Sequence, residues 1–167
     1  MNVINLQHAL PQVFVGRDYI DSDIWHQDVS FEKGDFYLIE AASGTGKSSL
    51  CSYIYGYRND YQGIITFDGA NIRKMNVADW TEVRKRSLSM LFQDLRLFTE
   101  LTAMENVLLK NSLTGFKGKK EIKELFYELG IGDKMDVEVG KMSFGQQQRV
   151  AIARAVITNP KLILADE

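Results

Sequence analysis

The stretch Ala41-Ala42-Ser43-Gly44-Thr45-Gly46-Lys47-Ser48 decides how this chain is read. Two glycines spaced by one residue, then lysine and serine, describe a tight turn that opens into a helix. Such a turn aims several backbone N–H groups at one point, and the helix dipole adds to their attraction for an anion. Gly44 and Gly46 let the backbone approach that anion with no Cβ in the way. Lys47 then reaches the β- and γ-phosphates of a nucleotide, and the Ser48 hydroxyl is placed to ligate Mg²⁺. The strict eight-residue pattern begins with glycine, and Ala41 is the smallest replacement for it. Phe36-Tyr37-Leu38-Ile39, just ahead, predicts a strand feeding the turn. Lys47 to Gly56 has the length and the closing glycine of a helix.

Upstream of the loop, short strands are expected at Val3–Leu6, Gln12–Val15 and Asp28–Phe31, where Val29 and Phe31 alternate with polar neighbours. Downstream, Gly63–Gly69 reads as a strand bounded by turn glycines, Asp79–Lys85 as a helix, and Ser87–Phe92 as extended chain before Gln93. The pattern then changes. Leu101–Lys110 and Lys119–Leu129 carry apolar residues at helical spacing, joined by the loose segment 111–118. Ile122, Leu125, Phe126 and Leu129 make one apolar face, and Lys119, Lys120, Lys123 and Glu124 the wet one.

The chain of 167 residues is 45% hydrophobic, enough for one domain with a sizeable core. Lys+Arg 20 against Asp+Glu 22, net −2, leaves no basic footprint for nucleic acid. The single cysteine, Cys51, forms no internal disulfide and reads as a buried structural thiol in a reducing compartment. Residues 1–5 lack the features of a signal peptide, and no apolar run approaches the ~18 residues of a membrane helix. These features predict a soluble, cytoplasmic-type protein.

Two later segments complete the pattern. Ser143 fits an N-cap, and Gly145–Ile157 is expected as a helix whose first turn, Gly145-Gln146-Gln147-Gln148, offers N–H groups to an anion. Asn159-Pro160 stops it. Leu162-Ile163-Leu164-Ala165 is a continuous apolar run, expected as a buried parallel strand. Two carboxylates at its tip, Asp166 and Glu167, are costly to place unless they serve a metal or a water. Asp166 is suited to hold Mg²⁺ and Glu167 to polarise an attacking water.

Taken together, Ala42 to Ser49, Phe92-Gln93-Asp94, Ser143 to Arg149 and Leu162 to Glu167 resemble, in order, the motifs of the ATP-binding subunits of ABC transporters. The resemblance covers the whole chain. It implies an α/β fold: a P-loop NTPase (RecA-like) core with an N-terminal antiparallel β subdomain and a helical insert. On that reading residues 1–95 and 143–167 form the core and β subdomain and 96–142 the helical subdomain. It implies ATP and Mg²⁺ as cofactors. Ala42, Ser43, Gly44, Thr45, Gly46, Lys47, Ser48 and Ser49 would hold the phosphates. Ser48, Gln93 and Asp166 would hold the metal, with Lys47, Gln93 and Glu167 as the catalytic set. Ser143, Gly145 and Gln146 would address the nucleotide of a second ATP-binding subunit, in a homodimer. Phe14 is the candidate adenine-stacking aromatic, with Tyr19 behind it.

The implied partner is a separate transmembrane subunit, with the ATPase on the inner face of the cell membrane and no nucleic acid involved. The apolar stretch Leu95, Leu97, Phe98 and Leu101 is the expected docking region for it. Residues 95–107 are similar to cassettes of lipoprotein-release, macrolide-export and cell-division systems. The implied function is ATP hydrolysis coupled to transport. The alternatives are a non-catalytic nucleotide-binding fragment and a soluble ABC-type ATPase. The latter class interposes long coiled coils where Gln93 to Ser143 spans about 50 residues without heptads.

Three departures stand out. Phe144 occupies a place where the family usually has glycine. No clean adenine platform is visible. The family also continues beyond the acidic pair with a switch histidine, and His8 and His26 lie at the wrong end to replace it. The fold is therefore expected to be incomplete at the C-terminus and the chain inactive in hydrolysis. Leu162–Ala165 is expected to slide beside Phe36–Ile39 or to pair with another copy, displacing Asp166 and Glu167.

Overall fold

The computed structural model describes residues 1–17 and 20–166. The chain divides into two compact units, Met1–Glu82 and Val83–Glu167.

The first unit is built on an antiparallel sheet of β1 (Val3–Pro11), β2 (Asp28–Glu32), β3 (Tyr61–Phe67) and β4 (Ala70–Asn71), in the order β2-β1-β3-β4. β1 is central, so Ile4 lies opposite Phe31 on one side and Phe67 on the other. Its register with β3 shifts between Gln7 and Leu10, where His8 takes a φ of 47°. The partner at this bulge is Gly63, whose φ is +79° and where a Cβ would stand 2.4 Å from the His8 carbonyl oxygen. Only glycine fits that approach. Leu6, Ala9 and Ile65 are fully buried along the sheet. Leu50, Tyr53 and Ile54 of α1 (Lys47–Ile54) are buried as well. Cys51, on the same helix, is half-buried rather than sealed in the core.

Two expected strands are absent. Gln12–Phe14 is a short 3₁₀ turn, with Val15 N–H donating to the Gln12 carbonyl at 3.2 Å. Pro11 closes β1, since it has no N–H to continue the ladder. Phe36–Ile39 is irregular chain, with Phe36 102% and Leu38 83% exposed. A strand exists only through its neighbours, and this run has none among the described residues. Tyr37 alone is anchored: its hydroxyl accepts from Glu32 N–H at 2.8 Å and its ring meets Phe31 edge-on.

Helix α2 (Val77–Arg86) carries the chain across the boundary and buries no residue fully. In the second unit β5 (Leu88–Leu91) and β6 (Leu162–Ala165) pair in parallel, Leu88 opposite Leu162 and Leu91 opposite Ala165. Leu162–Ala165, expected to slide beside Phe36–Ile39 or to pair with another copy, pairs with β5 along one edge. β6 is not buried on both faces, because it has one paired edge and Ile163 remains 43% exposed. Helices α3 (Ala103–Asn111), α4 (Lys119–Glu128) and α5 (Phe144–Val156) close around one apolar cluster. Val107, Ile122, Phe126, Val139, Val150 and Ile157 are among its most buried members. The α4 lysines Lys119, Lys120 and Lys123 face solvent as the periodicity required. Of the apolar stretch after Gln93, Leu95 is buried, Leu97 packs on the cluster, and Phe98 is half exposed. Among the described residues no helix is long and apolar enough to cross a membrane.

Candidate functional site

The phosphate loop enters α1 through Gly44 and Gly46, at φ +80° and +99°. Gly46 is the N-cap, and no side chain caps the helix. The first turn of α1 therefore begins on bare backbone, which is the arrangement that suits an anion. Below the loop, the Trp25 indole N–H donates to the Thr45 carbonyl at 2.8 Å. A Cβ at Gly46 would lie 3.1 Å from the Trp25 ring and 3.2 Å from Phe14, whereas one at Gly44 meets nothing within 4 Å. The loop is thus clamped at Gly46 and open at Gly44. Lys47 folds back over it, its ammonium donating to the carbonyls of Ala41 and, at 3.0 Å, of Ala42. The Thr45 hydroxyl donates to the same Ala42 carbonyl at 2.8 Å. These bonds shape 41–47 into a ring around the lysine head group.

The loop borders a cleft of about 810 Å³, also lined by Arg17, Asp21, Asp23, Trp25 and the 36–41 run. Phe14 also lines it. Its ring is 6% exposed, pressed under Gly46 on one side with the Arg17 guanidinium 4.5 Å above its centroid. Phe14, the expected stacking aromatic, is thus packed into the fold, with the Arg17 guanidinium over its ring. Tyr19, the second choice, lies outside the described residues.

In the second unit the parallel register sets the chemistry. The C-terminal ends of β5 and β6 emerge at one sheet edge, and Asp166 N–H donates to the Leu91 carbonyl at 3.1 Å. That places Asp166 level with Phe92, one residue short of Gln93, so an amide oxygen and a carboxylate share one edge. Glu167 lies outside the described residues.

At the start of α5, Ser143 is the N-cap as expected. Its hydroxyl accepts from Gln146 N–H at 3.4 Å, and the Gln146 side chain returns the bond, accepting from Ser143 N–H at 3.0 Å. Gln147 is the tie beneath, donating to the carbonyls of Val139 and Met142, both at 3.1 Å. Gly145 has open space where a Cβ would be, and Phe144 is 62% exposed. Ser143 and Gln146 are thus engaged with each other, leaving Gly145 as the open face of this turn.

Two positions were not singled out from sequence. Beyond Gln93 the chain makes a turn with two consecutive non-glycine residues at positive φ, Leu95 (56°) and Arg96 (46°). Each such conformation costs about 1–2 kcal/mol. Arg154, in the last turn of α5, donates to the carbonyls of both, each at 2.6 Å. Because the partners are main-chain atoms, no residue pattern marks this contact. Asn106 is completely buried; it accepts from Phe98 N–H at 2.9 Å and donates to the carbonyls of Phe98 and Thr102. An asparagine at a core position of an apolar helix face is the sign that could have found it. Nearby, burial pushes the Lys110 ammonium below the usual lysine range, with the Arg154 charge adding to it. Lys110 donates to the Arg84 carbonyl at 3.0 Å.

Among the described residues no cluster of three or more His, Cys, Asp or Glu exists to hold a metal by protein ligands alone. Mg²⁺ does not require one, since it binds through one or two oxygen ligands plus waters and substrate phosphates. Each unit carries oxygen donors of the kind that chemistry uses, Ser48 in the first and Gln93 with Asp166 in the second, and within the first unit the loop's N–H groups and Lys47 suit a phosphate chain.

Comparison with known proteins identifies the family. Residues 26–167 match the ABC transporter family. The chain is 33% identical over 171 residues to the ABC transporter ATP-binding protein YtrE of Bacillus subtilis, covering 99% of this chain and 74% of that one. It is 42% identical over 144 residues to the lipoprotein-releasing system ATP-binding protein LolD of Aquifex aeolicus, covering 83% of this chain and 63% of that one. Its fold is similar to MJ0796, a bacterial ABC transporter cassette solved as a dimer, with a TM-score of 0.82 and 28% identity. That alignment covers 98% of this chain and 73% of MJ0796. MJ0796 is also known in a post-hydrolysis state bound to ADP and Pi, with a TM-score of 0.78. The chain thus spans about two thirds to three quarters of the length of these proteins. With its α/β fold, antiparallel β region and phosphate loop, it belongs to the ABC transporter family of ATP-binding cassettes.

Proposed function

We propose that this chain binds ATP with Mg²⁺ at the 41–49 loop and, within its parent protein, couples hydrolysis to transport through a separate transmembrane subunit. The observation that carries the reading is the uncapped start of α1, reached through Gly44 and Gly46 at positive φ, with the Lys47 ammonium held over the loop.

The backbone N–H groups of the loop would receive the phosphate oxygens, and Lys47 would exchange its two carbonyls for them. Ser48, Gln93 and Asp166 would hold Mg²⁺, which neutralises charge on the terminal phosphates when bound. Glu167 would polarise the attacking water. Gly145, with Ser143 and Gln146, would address the nucleotide of a second ATP-binding subunit, as the dimeric MJ0796 structure suggests. Residues 96–142 would form the helical subdomain, with Phe98 as its exposed apolar contact to the membrane subunit. The likeness to LolD and YtrE supports a bacterial transport system and a seat on the inner face of the membrane.

The test is calorimetry on Lys47→Ala. Removing a charge that pairs with phosphate away from water should cost about 2–4 kcal/mol, a drop in ATP affinity of tenfold or more. Equal binding by wild type and variant would sink the assignment.

A further inference from the structure

The turn beyond Gln93 is held from outside. Leu95 N–H donates to the Phe92 carbonyl at 2.9 Å and Arg96 N–H to the Asp94 carbonyl at 2.6 Å, which closes the turn on itself. Two adjacent left-handed residues are sparsely populated without a further contact. Burial of Leu95 supplies one contact, and the Arg154 fork supplies the other, reaching both the Leu95 and the Arg96 carbonyl. On the other side of Gln93 the chain is fixed by the β5–β6 ladder, which ends with Asp166 N–H on the Leu91 carbonyl. Gln93 itself is exposed. It sits between two anchors, and only one of them is a side chain.

We propose that Arg154 is a positioning residue for Gln93: by bridging the Leu95 and Arg96 carbonyls it fixes where the Gln93 amide stands beside Asp166. The proposal rests on the reading that Gln93 and Asp166 serve the nucleotide's Mg²⁺. The fork geometry matters as much as the charge. A guanidinium presents two N–H groups in one plane at fixed spacing, while an ammonium is a point donor on a flexible stem. Lysine at 154 keeps the charge next to Lys110 yet cannot span both carbonyls. Lys110 lies close to Arg154 and repels it.

The experiment measures ATP affinity by calorimetry with Mg²⁺ and again with EDTA, for the chain and for Arg154→Lys, Arg154→Ala and Gln93→Ala. The quantity read is the ratio of the two affinities. Both Arg154 variants should lower it by about tenfold, the scale on which removal of an outer-shell partner of a metal site acts. Affinity in EDTA should stay within about twofold, because the two carbonyls that Arg154 bridges belong to the turn beyond Gln93 and not to the phosphate loop. Hydrogen exchange at residues 95–97 should accelerate in Arg154→Lys, with α3 amides such as Val107 unchanged. A wild-type ratio in both Arg154 variants, with the ratio collapsed in Gln93→Ala, overturns the proposal and leaves Arg154 a purely structural residue. A wild-type ratio in Gln93→Ala instead sinks the metal role of Gln93 itself. In that case exchange at 95–97 decides alone whether Arg154 fixes the turn, and unchanged exchange in Arg154→Lys overturns it.

Discussion

Helices α1 and α5 both start where the sequence places glycine among small polar residues, and both invite an anion, yet they are finished in opposite ways. α1 begins at Gly46 in a left-handed conformation with no side chain across its end. α5 begins at Ser143 in extended conformation with a complete capping box, Ser143 and Gln146 each serving the other's N–H. A helix end that caps itself is stable without a ligand. One that leaves its donors to the backbone depends on what arrives there. The difference separates a terminus built to receive phosphate from one that must first give up its own bonds to do so. Asp68 is a third solution, an anion the chain supplies itself: its carboxylate accepts from Asn2 N–H at 2.7 Å and Val3 N–H at 2.9 Å, beside the N-terminal ammonium.

Gly46→Ala should break the comparison hardest. Alanine at φ +99°, with its Cβ pressed against Trp25 and Phe14, combines backbone strain with overpacking. A loss of about 2–4 kcal/mol in urea denaturation is expected, together with a tenfold or greater fall in ATP affinity. A variant that keeps both would mean the loop does not need its left-handed entry.

Ser143→Ala should act only on α5. Loss of an N-cap costs about 1 kcal/mol, and ATP affinity of the isolated chain should stay within about twofold of wild type. An affinity loss approaching that of Lys47→Ala would erase the distinction, since it would put the α5 end on the same chain's nucleotide.

The Asp68 solution is read by pH. Its carboxyl is held down to about 2, from an ordinary 3.8, by the Asn2 N–H first and then the Val3 N–H. A depressed carboxyl stabilises the fold above its ordinary pKa, and that contribution is lost as pH falls through about 4 towards 2. Stability measured across that window should fall less steeply in Asp68→Asn than in wild type. An unchanged slope would show that the carboxylate does not support the N-terminal strand.

Elements whose bonding is local were legible in the sequence. The α1 and α5 helices and the Ser143 cap all follow from spacing and cap chemistry within a few residues. What failed depends on partners elsewhere in the chain. Phe36–Ile39 has the composition of a strand, but composition does not supply a neighbour. Of the site itself, the loop, Gln93 and Asp166 could be proposed from sequence because their residue types are tied to their chemistry. Arg154 and the Leu95–Arg96 turn were not, because main-chain carbonyls bear no residue name.

The bond from the Trp25 indole to the Thr45 carbonyl gives the phosphate loop an optical reporter. The chain has two tryptophans, Trp25 and Trp80, and both lie in the Met1–Glu82 unit. Indole emission therefore reports on the loop through Trp25 and on α2 through Trp80, while far-ultraviolet dichroism is weighted towards the helices of the second unit. Titrating nucleotide or urea against both signals would resolve the order in which the two units respond, with no label attached to either.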